Sequence, residues 1–107
     1  EPMGFEWIKC DDAESGIVAF VRRGSSAKNQ LMFVCNFVPV ERTTHLIGAP
    51  CDTTYEEILN SDDVRFGGQG RLNGTVKAIK QPCDRMEYSV SLTIPPLSVM
   101  VFRYDYK

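Results

Sequence analysis

The sequence predicts an all-β sandwich, and three observations predict it. From Met86 to Ile94, apolar Met86, Tyr88, Val90, Leu92 and Ile94 alternate with Glu87, Ser89, Ser91 and Thr93. A period of two sets every apolar group on one face of a strand. Pro95 and Pro96 then break the ladder, having no N–H to donate. Beyond that corner Leu97, Val99 and Val101 oppose Met100, Phe102 and Tyr104, so the second run is apolar on both faces, reads as a central strand and asks for a layer over each face. Finally, strand-like runs recur at short spacing, separated by Gly, Pro, Asn and Asp, with no long run of helical period.

Taken in order, GFEWI opens with Phe5 and the only tryptophan, Trp7, and leads into acidic Asp11, Asp12 and Glu14. This segment reads as an arm folded back on the domain or as a surface for a neighbour. Ile17 to Arg22 is a strand, Gly24 to Asn29 a polar loop, and Leu31 to Phe37 a second strand, apolar on both faces, that completes an antiparallel hairpin. Pro39 ends it. Thr43 to Ile47 is a shorter strand before Gly48 and Pro50, and Thr54 to Leu59 reads as a strand or a helical turn. Asn60 to Gly70 is too rich in Gly and Asp to be regular. Asn73-Gly74 predicts a type I′ turn, whose two central positions need positive φ, ahead of a strand at Thr75 to Lys80. With the opening pair this makes about seven or eight strands and no internal repeat.

A chain of 107 residues makes one domain spanning 1–107. Its 43% hydrophobic and 24% charged residues place it among ordinary globular chains. A net charge of −2 without a basic cluster argues against a nucleic-acid surface. Runs such as Leu31 to Cys35 are too short to span a bilayer, and no signal-peptide pattern is visible. Neither nucleic acid nor membrane is therefore expected as a partner. Glu1 in place of an initiator Met suggests an excised or processed chain. Cys10, Cys35, Cys51 and Cys83 form no CxxC pair, so a zinc site is not expected. Reduced thiols and a cytoplasmic location fit an apolar-strand Cys35 better than two disulfides do.

Catalytic chemistry is hard to place. His45 is the only histidine and has no GxSxG-type elbow to serve. The pairs Asp11/Asp12, Glu56/Glu57 and Asp62/Asp63 suggest paired carboxylates, but neighbours on a strand point to opposite faces and cannot flank one glycosidic bond. Gly67-Gly68-Gln69-Gly70 lacks the Lys-Ser/Thr end of a phosphate loop. Asn73-Gly74-Thr75 fits a glycosylation sequon, which matters only in a secreted protein. The expectation is a chain with no catalytic residue, no cofactor and no metal.

The succession GFEWI (4–8), Asp11-Asp12, a strand ending in Arg22, VCNFVPV (34–40), IGAP (47–50), EILNSD (57–62) with FGGQG (66–70) behind it, and LTIPPLSVMVFR (92–103) covers nearly the whole chain in order. It resembles the C-terminal all-β domain of bacterial-type 1,4-α-glucan (glycogen) branching enzymes of the α-amylase family. The resemblance implies a Greek-key antiparallel β-sandwich that follows a catalytic (β/α)₈ barrel in the same parent chain, with residues 1–15 as the arm arriving from it. In such enzymes the barrel's carboxylates cut an α-1,4 bond through a covalent intermediate and transfer the segment to a 6-hydroxyl. No barrel fits in this length, so the implied partners are that barrel and α-glucan or glycogen, and the implied role is to stabilise the enzyme. Phe5 and Trp7 would then lie at the junction with the barrel, the alternative being a Trp tucked into the domain's own edge.

Two rival readings stand beside this one. An independent glucan-binding module would use exposed aromatics among Trp7, Tyr55, Tyr88, Tyr104 and Tyr106, of which Tyr88 is expected to face the core. An immunoglobulin-like domain would need two disulfides. The matching domain of another amylase-clan enzyme is a further alternative.

Overall fold

The computed structural model describes residues 4–12 and 15–107; the side chains of Cys10, Asp11 and Asp12 lie outside that description, as does Glu14. Eight strands form it: β1 (Phe5–Asp12), β2 (Ile17–Arg22), β3 (Gln30–Asn36), β4 (Arg42–Ala49), β5 (Thr54–Asn60), β6 (Thr75–Lys77), β7 (Tyr88–Ile94) and β8 (Ser98–Tyr104). They make a six-stranded sheet in the order β1-β2-β3-β8-β5-β6 and a two-stranded sheet of β4 and β7, and every pairing is antiparallel. The chain crosses to the small sheet at β4 and again at β7, and β8 returns between β3 and β5, the non-sequential insertion that a Greek key requires. The arm expected at the start is itself a strand: β1 folds back on β2, with Trp7 opposite Phe20.

The core lies between the sheets. Ile17, Ala19, Val21, Met32, Val34, Met100 and Phe102 from the large sheet meet Ile47, Val90, Leu92 and Ile94 from the small one, all fully or nearly fully buried. Period-two alternation is what permits this, and β2 and β3 follow it residue by residue. The alternation of β7 holds as well, with Val90, Leu92 and Ile94 inward and Ser91 outward. At the side of the sandwich, Ile79 exchanges backbone hydrogen bonds with Ser89 (2.8 and 3.0 Å), which joins the β6 connection to β7.

Two local expectations are corrected. Asn73 keeps a negative φ while Gly74 takes +67°, so Asn73-Gly74 makes no type I′ turn. Its side chain acts as a clip instead: Nδ2 donates to the Thr93 carbonyl (3.0 Å) and Oδ1 accepts from the Thr93 N–H (2.9 Å). A fourteen-residue segment separates β5 from β6, so there was no tight hairpin there to close. Positive φ at both central positions occurs instead at Asp84 (53°) and Arg85 (65°), where Cys83 and Met86 exchange hydrogen bonds of 3.0 and 2.9 Å. Neither residue is glycine, and each L-residue held in that region costs about 1 kcal/mol or more.

The segment after β5 was expected to be irregular, yet it contains a 3₁₀ turn at Val64–Phe66 capped by the Asp63 carboxylate. Asp62 organises it. Its carboxylate accepts from the Arg71 N–H and Nε, both at 2.9 Å, and from the Gln69 N–H at 3.3 Å. Gly68 packs so closely that a Cβ there would stand 2.1 Å from the Asp62 carbonyl oxygen, which explains why the bend needs glycine. Burial pushes the Asp62 carboxyl up, but the hydrogen bonds from Arg71 and Gln69 outweigh it and hold the group below its ordinary value.

A carboxyl whose folded pKa lies below its unfolded one stabilises above the unfolded value, near 4, and loses that contribution as pH falls through the folded value. Asp62→Asn should therefore lower the melting temperature at pH 7 by about 5 °C or more, and the gap to wild type should close in melts run progressively below about pH 4. A constant gap across that range would refute the assignment. Arg85→Gly should raise stability in urea unfolding by about 0.5–1 kcal/mol, because glycine relieves the left-handed strain of an exposed turn residue.

Candidate functional site

The inward-facing side of the six-stranded sheet is covered by β4 and β7; no strand among the described residues covers its other side. Register and burial assign Phe5 and Trp7 of β1, Val18 and Phe20 of β2, Leu31, Phe33 and Cys35 of β3, and Val99 and Val101 of β8 to that outer side. The aromatic rings form a row across three strands: Phe5 stacks on Phe20 at 5.1 Å, Phe20 stacks on Phe33 at 4.8 Å, and Trp7 meets Phe20 edge-on at 5.6 Å. Trp7 remains 47% exposed and Leu97, at the β7–β8 corner, 64%. The central strand β8 thus has its two apolar faces, as expected, but only one is covered within the described residues. Contiguous apolar surface of this kind marks an interaction face.

Charged groups stand at the margin of this face. Arg103 Nη2 donates to Glu56 Oε1 at 2.6 Å, and Arg23 pairs with Glu6. Between these margins the face offers few polar side chains, the Cys35 thiol being one, and burial pushes that thiol's pKa up so that it stays neutral. Such a surface suits a large apolar partner better than a hydrophilic ligand.

The structure sorts the remaining candidates. Phe5 and Trp7 share the outer face of the edge strand β1, where Trp7 packs on Phe5 and Phe20 and keeps 47% of its surface exposed. His45 sits half-buried on β4, opposite Leu92. Glu56 and Glu57 point apart: Glu56 binds Arg103, while Glu57 accepts from the Asn73 N–H at 2.9 Å and from Asn60 Nδ2 at 3.1 Å. Asp62 and Asp63 shape the turn around Gly67-Gly68-Gln69-Gly70, which makes that stretch a folded loop and not a phosphate cradle. The carboxylates of Asp11 and Asp12 lie outside the described residues. Cys35, Cys51 and Cys83 are free thiols, which removes the two-disulfide immunoglobulin reading. Among the described residues, no group of three or more His, Cys, Asp or Glu could hold a metal ion, and no helix is long and apolar enough to cross a membrane.

Of the aromatics offered for sugar stacking, Tyr55 and Tyr104 are buried against each other at 4.8 Å. Tyr88 packs against the core as expected, which leaves Trp7 and Tyr106 accessible. The residues that sequence reading missed are Phe20 and Phe33. Alternation placed them on strands, but only the pairing of β1, β2 and β3 shows that they continue the row begun by Phe5 and Trp7.

Comparison with known proteins agrees with this architecture. The family described as alpha amylase, C-terminal all-beta domain, matches residues 7–105. The chain is 41% identical over 103 residues to the 1,4-alpha-glucan branching enzyme GlgB of Rubrobacter xylanophilus, covering 96% of this chain and 14% of that protein. It is 39% identical over 104 residues to the enzyme of the same name from Halothermothrix orenii, covering 96% of this chain and 16% of the relative. With the Butyrivibrio fibrisolvens enzyme the values are 40% over 105 residues, 97% and 16%. The chain therefore spans about one-seventh to one-sixth of the length of these relatives. An eight-stranded, two-sheet fold and a family match over residues 7–105, almost the whole length, make this chain a member of the alpha-amylase C-terminal all-beta domain family.

Proposed function

We propose that this chain is the non-catalytic β-sandwich of a cytoplasmic 1,4-α-glucan branching enzyme, and that it stabilises the enzyme by docking the open face of its six-stranded sheet on the catalytic (β/α)₈ barrel of the same parent protein. The parent enzyme cuts an α-1,4-glucan and transfers the segment to a 6-hydroxyl, making the α-1,6 branches of glycogen. The carboxylates that do this belong to the barrel. The single observation that carries the reading is the row of Phe5, Trp7, Phe20 and Phe33, three half-buried and Trp7 exposed, on a sheet face that no described strand covers. Relatives six to seven times as long as this chain supply the protein that a covering layer requires. The rim pairs Arg23–Glu6 and Arg103–Glu56 fit the polar margin of such an interface. Glucan contact, the second part of the role, would fall outside this apolar face.

Burial of a half-exposed tryptophan at a domain interface contributes about 2 kcal/mol. Trp7→Ala should therefore destabilise the full-length branching enzyme by about 2 kcal/mol, and the 107-residue chain by itself by about half of that or less. Paired urea or thermal unfolding of the two proteins measures the difference. Equal losses in both would show that Trp7 has no partner beyond its own sheet and would overturn the docking proposal.

A further inference from the structure

Asn73-Gly74 is the only Asn-Gly pair in the sequence. In such a pair the glycine backbone nitrogen can attack the asparagine Cγ, because glycine carries no Cβ to obstruct the approach. The new N–Cγ bond forms as the bond from Cγ to Nδ2 breaks, and ammonia leaves behind a five-membered imide. Water then opens the ring to an aspartyl or isoaspartyl residue, so that amide and water become carboxylate and ammonium. The reaction needs nothing beyond water and base. Gly74 is exposed, takes a φ of +67° and has no heavy atom within 4 Å of the place a Cβ would occupy, so both reagents reach it from solvent.

The half-buried Asn73 side chain is held on every side. Its Oδ1 accepts from the Thr93 N–H at 2.9 Å, and its Nδ2 donates to the Thr93 carbonyl and to Glu57 Oε2, both at 3.0 Å. Glu57 Oε1 accepts from the Asn73 N–H at 2.9 Å and from the Gly74 N–H at 3.4 Å, while the Glu57 N–H donates to the Gly74 carbonyl at 2.9 Å. Cyclisation has to swing the amide off Thr93 and Glu57 and onto the Gly74 nitrogen. It also has to remove that nitrogen's proton, which a neighbouring carboxylate opposes because the anion it leaves would face a negative charge.

We propose that Asn73 is a conformationally gated deamidation site: the clip to Thr93 and Glu57 keeps the amide intact, and each opening of the clip exposes it to a conversion that the fold cannot reverse. In the aspartyl product an oxygen replaces Nδ2, so it faces Glu57 Oε2 and the Thr93 carbonyl with no proton to share. In the isoaspartyl product the backbone gains a methylene immediately before Gly74, whose carbonyl receives the Glu57 N–H. Neither product re-forms the clip, and the flank that joins β5, β6 and β7 becomes a one-way record of having opened.

The test holds the 107-residue chain at mildly alkaline pH, well below its melting temperature, and follows conversion of the tryptic peptide 72–77 by mass spectrometry, with the same chain in urea as the open reference. Folded wild type should convert about ten-fold or more slowly than the chain in urea. Glu57→Gln, while folded, should convert about five-fold or more faster than folded wild type. Val21→Ala weakens the core on β2, three strands from β5 in the sheet order, and should stay within about two-fold of wild type because it leaves the clip alone. The slowing by the wild-type fold should also match, within about ten-fold, the hydrogen-exchange protection of the Thr93 N–H, which reads clip opening even where the Glu57 variant does not fold. Asn73→Asp, the product itself, should melt about 5 °C or more below wild type. Folded wild type converting as fast as in urea, a folded Glu57→Gln no faster than wild type, equal acceleration by Val21→Ala, a mismatch with Thr93 protection, or an Asn73→Asp chain that melts with wild type would each overturn the gate.

Discussion

One constraint governs this molecule: a wide sheet with two apolar faces meets a narrow sheet that covers only one of them. The six strands around β8 carry alternating side chains that are apolar on both sides over β2, β3 and β8. The two strands β4 and β7 seal the inner side with Ile47, Val90, Leu92 and Ile94. Apolar surface left facing water is a free-energy cost that association removes. The outer row of rings therefore ties the fold directly to the proposed role, because what makes the sheet incomplete as an isolated object is also what suits it to a neighbour.

The rest of the chain keeps that sheet in shape. Proline at the β7–β8 corner stops β7 and sends β8 to the centre of the other sheet. Asn36 holds the corner from the opposite side, its Nδ2 donating to the Pro95 and Val40 carbonyls at 2.9 Å each. On the far flank, Asn73 clips Thr93 and Asp62 gathers the backbone of residues 69 to 71. These are hydrogen bonds to buried or half-buried groups that would otherwise be unsatisfied. They give the EILNSD and FGGQG stretches an architectural part: Asn60, Asp62 and Gly68 are each occupied by the loop's own backbone.

The hairpin end and the sheet face divide the accessible aromatics between two kinds of surface. Trp7 stands among rings with polar groups only at the rim, whereas Tyr106 stands beside a guanidinium, a buried amide and two serines. A large apolar partner is recognised by area, which the sheet face offers and the hairpin end does not.

Alternation along Ile17 to Arg22, Leu31 to Phe37 and Met86 to Tyr104, with proline and glycine between them, determined by itself that the chain is all-β and which residues fill its core, because period two is a local property of the backbone. The ordered motifs determined the family. The sequence could not reveal that the opening arm pairs with β2 as a strand, that the primed turn falls at Asp84-Arg85 and not at Asn73-Gly74, or that Phe20 and Phe33 extend the row of Phe5 and Trp7. Those depend on which strands become neighbours, and β1, β2, β3 and β8 are brought side by side by pairings up to seventy-four residues apart (Gln30 with Tyr104). Only tertiary structure decides whether an apolar face is covered, since burial is set by what lies across from a residue and not by what precedes it.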